Sequence, residues 1–184
     1  TGLSLMGKQL ELLKALHATG KPVVLVMIQG RPLELNWAAE HIPAILTAWY
    51  PGGEGGRAIA DVLFGDYNPA GRLPLSYPRH VGQLPVYYNH KSARRHDYVE
   101  GTAAPLYPFG YGLSYTTFAY DGVKMRVEGD SVRVSVDVRN SGNRAGDEVV
   151  QLYLRDEQAS VVTPFMQLKA FRRVSLAAGE SRNP

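Results

Sequence analysis

The chain has 184 residues, 45% of them hydrophobic, with 20 Lys and Arg against 17 Asp and Glu for a formal net charge of +3. That balance suits one large folded domain or two small ones and excludes a disordered segment, which needs low hydrophobicity and high net charge. The lack of cysteine removes disulfide and thiolate-metal chemistry, and no apolar run approaches the roughly 18 residues of a membrane-spanning helix.

Taken in order, Met6, Leu10, Leu13 and His17 recur at helical spacing, Leu12 and Leu16 widen the stripe, and Gly20-Lys21-Pro22 ends the helix. Residues 23–28, VVLVMI, form a continuous aliphatic run, the pattern of a strand covered on both faces. Gly30-Arg31-Pro32 turns the chain, a short helix carries Trp37 and Ala38, and residues 42–49 contain the next buried strand. Residues 49–78, WYPGGEGGRAIADVLFGDYNPAGRLPLSYP, are the pivot: a strand end, a turn built on Gly52, Gly53, Gly55 and Gly56, then a short helix. That helix has Ala58, Ile59, Val62 and Leu63 on one side, Asp61 facing away and Gly65 as its stop; Asn68-Pro69 then starts a proline-framed extended segment. The alternation of helices and strands predicts an α/β fold with a mostly parallel sheet and helices on its faces.

Two residues or patterns in the pivot invite a chemical reading. Glu54, an acid in a glycine loop beside Trp49 and Tyr50, could hold a raised pKa and donate a proton. It equally suits the start of a helix, where a negative charge complements the dipole, and that reading is preferred. Gly53, Gly55 and Ala58 fit the G-x-G-x-x-A pattern of a dinucleotide site. Such a site needs an acid about 20 positions on. Residues 73–77, LPLSY, supply none, and Glu54 would repel a pyrophosphate, so the nucleotide reading is set aside.

Residues 79–118 are rich in Pro, Tyr, Gly and His without a sustained period and read as a long connection pinned by aromatics. Their densest basic run, residues 91–96, is short and reads as a solvated loop rather than a nucleic-acid footprint. Tyr87, Tyr88, Asn89 and His90 could line a sugar site or form an ordered loop packed through its tyrosines. His17 and His41 read as structural and His80 and His96 as loop residues, with no paired spacing that suggests a metal. Tyr107, Phe109, Tyr111 and Tyr115 read as an aromatic plug between two domains, with Gly110 and Gly112 letting the chain bend. Beyond Phe118 the period becomes two: Val123, Met125 and Val127, a turn at residues 128–130, then Val132, Val134, Val136 and Val138. Residues 140–146 form a loop, residues 148–154 a third strand and residues 168–176 a fourth, the pattern of a β-sandwich. The fold class expected is α/β followed by all-β.

Residues 49–78, together with residues 105–118, PLYPFGYGLSYTTF, closely resemble the C-terminal part of the β-glucosidases of glycoside hydrolase family 3, and the resemblance runs over nearly the whole chain. It implies a partial α/β sandwich domain over residues 1–78, a connecting segment over 79–118 and an incomplete fibronectin type III-like domain over 119–184. It also implies a retaining enzyme that releases terminal β-linked glucose through a glycosyl-enzyme intermediate, using two carboxyl groups about 5 Å apart. In the family the nucleophilic Asp lies on a barrel domain that would precede Thr1, and the acid/base Glu lies in a short loop just before the helix that opens near Gly2. Neither position falls in this chain, so no catalytic residue, cofactor-binding residue or metal ligand is assigned within it. A β-glucoside would bind where the α/β portion faces the barrel; no cofactor, nucleic acid or membrane is implied, and the type is periplasmic or secreted. The segment after His90 is shorter than in the periplasmic relatives, so no substrate contact is carried onto it.

Both ends read as cut. An immunoglobulin-like sandwich wants about seven strands, whereas four are clear here and Ala178-Gly179-Glu180 turns into a further strand just before Pro184. The chain is therefore expected to be a piece of a larger protein. A β-xylosidase is the alternative activity, and a non-catalytic module that binds carbohydrate or protein is the alternative class.

Overall fold

The computed structural model describes residues 2–91, 97 and 101–184. The first half runs α1 (Gln9–Ala18), β1 (Val24–Met27), α2 (Asn36–His41), β2 (Ala44–Thr47) and α3 (Gly55–Phe64), the alternation read from the sequence. β1 and β2 pair in parallel, Val24 opposite Ala44 and Met27 opposite Thr47. α1 ends where Gly20, at φ 71°, gives its N–H to the His17 carbonyl. α3 ends at Gly65, whose left-handed φ of 84° lets its N–H reach Val62 O at 3.1 Å. Leu13 of α1, Met27 of β1, Ala38 of α2, and Leu35, Ile42 and Tyr77 form the core between them.

Two expectations about burial are corrected. Among the described residues β1 is not covered on both faces: Val24 on the strand and Ile28 just past it are 50% and 63% exposed. α1 overhangs the open side without closing it, and Leu12 and Leu16 stay exposed above a groove of about 670 Å³. On α3, Ala58 is exposed and Asp61 half-buried, so Asp61 does not face away.

The segment after α3 does not return to the parallel sheet. It pairs with the second motif instead: Leu73 N–H to Tyr111 O, Gly110 N–H to Leu73 O, Tyr77 N–H to Tyr107 O and Leu106 N–H to Tyr77 O, each 2.8 Å. Gly112 permits this approach, since a Cβ there would lie 2.3 Å from the Gly71 carbonyl oxygen.

The second half comprises β3 (Phe118–Glu128), β4 (Ser131–Asn140), β5 (Gly146–Leu154), β6 (Gln167–Leu176) and β7 (Ser181–Arg182). Its antiparallel sheets, β3-β4-β7 and β5-β6, pack through Val138, Val174 and Leu176, with Phe118, Val136 and Val150 around them. β7 is the strand foreshadowed by the Gly179 turn. It is two residues long and pairs with Val138 and Arg139. β3 is longer than its alternating stretch and bulges between Asp121 and Lys124. Val123, Met125 and Val127 are exposed, because among the described residues no second sheet covers that end of the hairpin. No helix of the described residues is long and apolar enough to cross a membrane.

The halves are joined by polar contacts. Arg72 grips Glu148 with one guanidinium nitrogen 2.9 and 3.0 Å from the two carboxylate oxygens, the side chains only 12% and 10% exposed. Asn68 binds Ala145 O, Ser114 Oγ and the Tyr115 N–H, and Arg144 donates to Gly65 O at 2.7 Å.

Candidate functional site

Parallel α/β sheets place ligands beyond the carboxyl ends of their strands, and the pivot read from the sequence lies there. The β1–β2 ladder continues past both strands, with Ala48 N–H to Met27 O at 2.9 Å and Gln29 N–H to Trp49 O at 3.2 Å. Trp49 then takes a left-handed φ of 52°, uncommon for a bulky residue, and swings the glycine loop across the strand ends. Beneath it lies the Tyr77 ring, 6.2 Å from that of Trp49 and almost fully buried. Its hydroxyl meets the Gln29 amide and, at 3.3 Å, the Thr47 hydroxyl. Burial pushes the Tyr77 phenol up, against the opposing effect of those two hydrogen bonds. Tyr77 is thus a neutral, hydrogen-bonded post under the loop.

On the loop, Pro51 packs against Gly55, where a Cβ would fall 2.5 Å from the proline ring. This explains Gly55 by packing and not by phosphate binding. Glu54 occupies the position before α3 with no side-chain capping hydrogen bond; its carbonyl accepts the Ala58 N–H at 3.0 Å, and its side chain can act on the helix only through its charge. Tyr50 is 79% exposed at the rim and lies across Gly30. Sequence reading took Gly30 only as a turn residue. The single signal of its second role is its position just past β1, level with Tyr50 past β2.

The other candidates gather elsewhere. Tyr88 stacks on Phe109 with ring centres 4.2 Å apart, meets Tyr153 edge-on and accepts a hydrogen bond from Leu168 N–H. His90 stacks on Phe165, and its carbonyl accepts the Phe165 N–H at 2.8 Å. Both side chains pack between the connecting segment and the β-sandwich and still line the same cleft as Tyr87 and Asn89. Tyr87 and Asn89 stay exposed, beside a cleft of about 620 Å³ that also touches Gln83 and Met166. His17 and His41 flank Trp37, His41 stacked on it at 4.5 Å, while His80 is exposed at the start of a short 3-10 turn. His96 and most of the basic run lie outside the described residues. The four aromatics read as a plug do not form one cluster: Tyr107 packs on Tyr111 and Tyr77, Phe109 stacks on Tyr88, and Tyr115 gives its hydroxyl to Val62 O.

The glycosyl hydrolase family 3 C-terminal domain matches residues 1–115, and a fibronectin type III-like domain matches residues 148–183. The chain belongs to glycosyl hydrolase family 3. Its similarity to a periplasmic β-glucosidase of Salmonella typhimurium is 48% identity over 99% of the chain and 26% of that relative. A β-xylosidase of Formosa agariphila is also 48% identical, over 98% of the chain and 26% of the relative. Among solved structures, a β-glucosidase from Erythrobacter marinus superposes with a TM-score of 0.96 at 50% identity, over the whole chain and 25% of that protein. A β-glucosidase from Listeria innocua in complex with isofagomine gives 0.94 at 40%, over the whole chain and 28% of that protein. The chain thus spans about a quarter of the length of these family 3 relatives.

Proposed function

We propose that the chain is the C-terminal portion of a retaining glycosidase that removes terminal β-linked glucose from oligosaccharides and glycosides, with its catalytic carboxylates held outside these residues. Similarity to β-glucosidases along the whole chain, at 48% and 50% identity, carries the reading. The engagement of several acids here agrees with it. Glu148 is held by Arg72, Asp147 by Arg173, Glu180 by Arg182 and Glu128 by Arg133, while Glu34 accepts from Ser4 and the Val81 N–H. Retaining hydrolysis instead needs two carboxyl groups about 5 Å apart across a sugar.

On this reading residues 1–78 form a wall of the sugar site facing a barrel domain, residues 79–118 connect, and residues 119–184 support. The open groove between α1 and β1 is then filled by the rest of the α/β domain. Periplasmic or secreted location is proposed with it, supported by the name of the Salmonella relative. The equal identity of the Formosa β-xylosidase makes xylosides the second substrate class.

The test is hydrolysis of chromogenic β-glucosides and β-xylosides by the chain alone and by the chain combined with the upstream part of its protein. The expected outcome is no turnover alone, turnover when combined, and an unchanged rate in the Glu54→Gln combination. Turnover by the isolated chain that depends on Glu54 would overturn the proposal.

A further inference from the structure

We propose that Asp121 and Gly122 form a self-modifying site, at which the Asp121 side chain and the Gly122 backbone nitrogen close to a succinimide that water reopens to isoaspartate. Nothing in the glycosidase reading above is needed for it.

β3 and β4 are in register from Phe118 opposite Asn140 to Asp121 opposite Asp137, and again from Lys124 opposite Ser135 to Glu128 opposite Ser131. Between these runs Gly122 and Val123 stand against Val136 alone, a bulge that takes β3 out of the regular pleat. Gly122 has a left-handed φ of 60°, and its N–H donates to Asp121 Oδ1 at 2.7 Å. The carboxyl group is thus folded over the nitrogen of the next peptide, the approach that ring closure requires. Glycine leaves that nitrogen without the side chain that would shield it in any other pair, and a Cβ there would lie 2.9 Å from Asp137 Oδ2. The sequence has no other Asp-Gly pair and no Asn-Gly pair.

The Gly122 nitrogen gives up its proton and attacks Cγ of the Asp121 carboxylic acid. An N–Cγ bond forms, the bond from Cγ to its hydroxyl oxygen breaks, and one water leaves. Water then adds to one of the two ring carbonyls. Opening at Cγ restores aspartate; opening at the main-chain carbonyl leaves a free α-carboxylate and routes the chain through the former side chain, one methylene longer. Water is the only reagent. In a regular strand the backbone must first leave the ladder, which protects such pairs. Here the bulge has already done so, and the added methylene falls where the register is already shifted.

The test ages the full-length protein at neutral pH beside the free peptide YDGVK, residues 120–124. Tryptic fragments are followed by mass spectrometry and by labelling with isoaspartyl methyltransferase. The fragment ending at Lys124 also carries Asp97, followed by Tyr98, as an internal reference. Isoaspartate is expected at Asp121 and not at Asp97, at a rate within about tenfold of the peptide's, whereas a laddered strand that must open first falls well below that. Asp121→Asn, whose amide expels ammonia without first taking up a proton, should react faster than wild type. Asp121→Glu, which would have to close a six-membered ring, should form no product. A slower rate in the folded protein than that bound overturns the proposal. So does equal reaction at Asp97, an Asp121→Asn rate no higher than wild type, or product that persists in Asp121→Glu.

Discussion

Asp147 on β5 illustrates how a single carboxylate is tuned by opposing effects. Its burial disfavours the charge, but hydrogen bonds from Ser175 and Arg173 and the Arg173 charge together outweigh that cost, and the carboxyl is held below its ordinary value. The Arg173 Nε lies 2.6 Å from Oδ2, and the same guanidinium reaches the Tyr67 hydroxyl in the first half of the chain. A folded-state pKa below the unfolded one means that the stabilisation is complete above the ordinary aspartate value of about 4 and is lost as the pH falls through the lower folded value. Asp147→Asn should therefore cost stability near neutrality and flatten the acid limb, so that wild type and variant begin to converge as the pH falls below about 4. Urea midpoints measured from pH 7 to pH 3 check this. Parallel curves across that range would dismiss the account. Asn140, fully buried, is the other residue whose role no local pattern announces. Its amide donates to Arg144 O and Leu176 O and accepts from the Thr116 hydroxyl and the Gly142 N–H, tying the β4 end to two loops.

At the scale of elements, the two motifs that carry the family resemblance are one structural unit, residues 73–77 lying against 106–111. Gly112 makes the test, because the atom that a Cβ would meet is the backbone oxygen of Gly71, which cannot rotate away. Gly112→Ala should lower stability by about 1–3 kcal/mol. Gly101→Ala, where a Cβ meets open space, should change it by no more than about 0.5 kcal/mol. Chemical unfolding of the two variants side by side measures the difference, and equal effects would remove the packing explanation. The elements themselves were legible because helix and strand periods are written locally, as the Gly65 stop on α3 and the Val132 to Val138 alternation on β4 illustrate. What each apolar face touches was not. The aliphatic run of β1 reads as doubly covered, but a run of side chains states only that both faces want covering. Whether they are covered depends on elements elsewhere.

For the whole molecule, the Arg72 and Glu148 pair is a buried ion pair between the α/β half and the β-sandwich, bridging positions 76 apart in the sequence. Glu148 also accepts its neighbour's Val149 N–H at 2.9 Å, and the Tyr120 phenol beside it is pushed up by burial and by the Glu148 charge, with Arg72 opposing. Removing one partner strands a charge in a poorly hydrated place, so Arg72→Ala should cost about 3–5 kcal/mol. Replacing both, as Arg72→Met with Glu148→Leu, should recover most of that loss, since an apolar pair of similar size carries no desolvation cost. Thermal and urea unfolding of the single and double variants check it; a double variant no better than the single would show that the charges were not the issue.

Order along the chain determined the element succession, the change from an α/β to an all-β pattern, and the two motifs that identify the family. These are local or covalent properties and survive without a fold. Only the tertiary structure decided that Glu54 makes no side-chain cap, that Tyr88 and His90 pack on Phe109 and Phe165, that Tyr50 rests on Gly30, and that Arg72 finds Glu148. Each depends on which distant segments meet, and that is fixed by shape and by competition for buried contacts, which no residue's immediate neighbours encode.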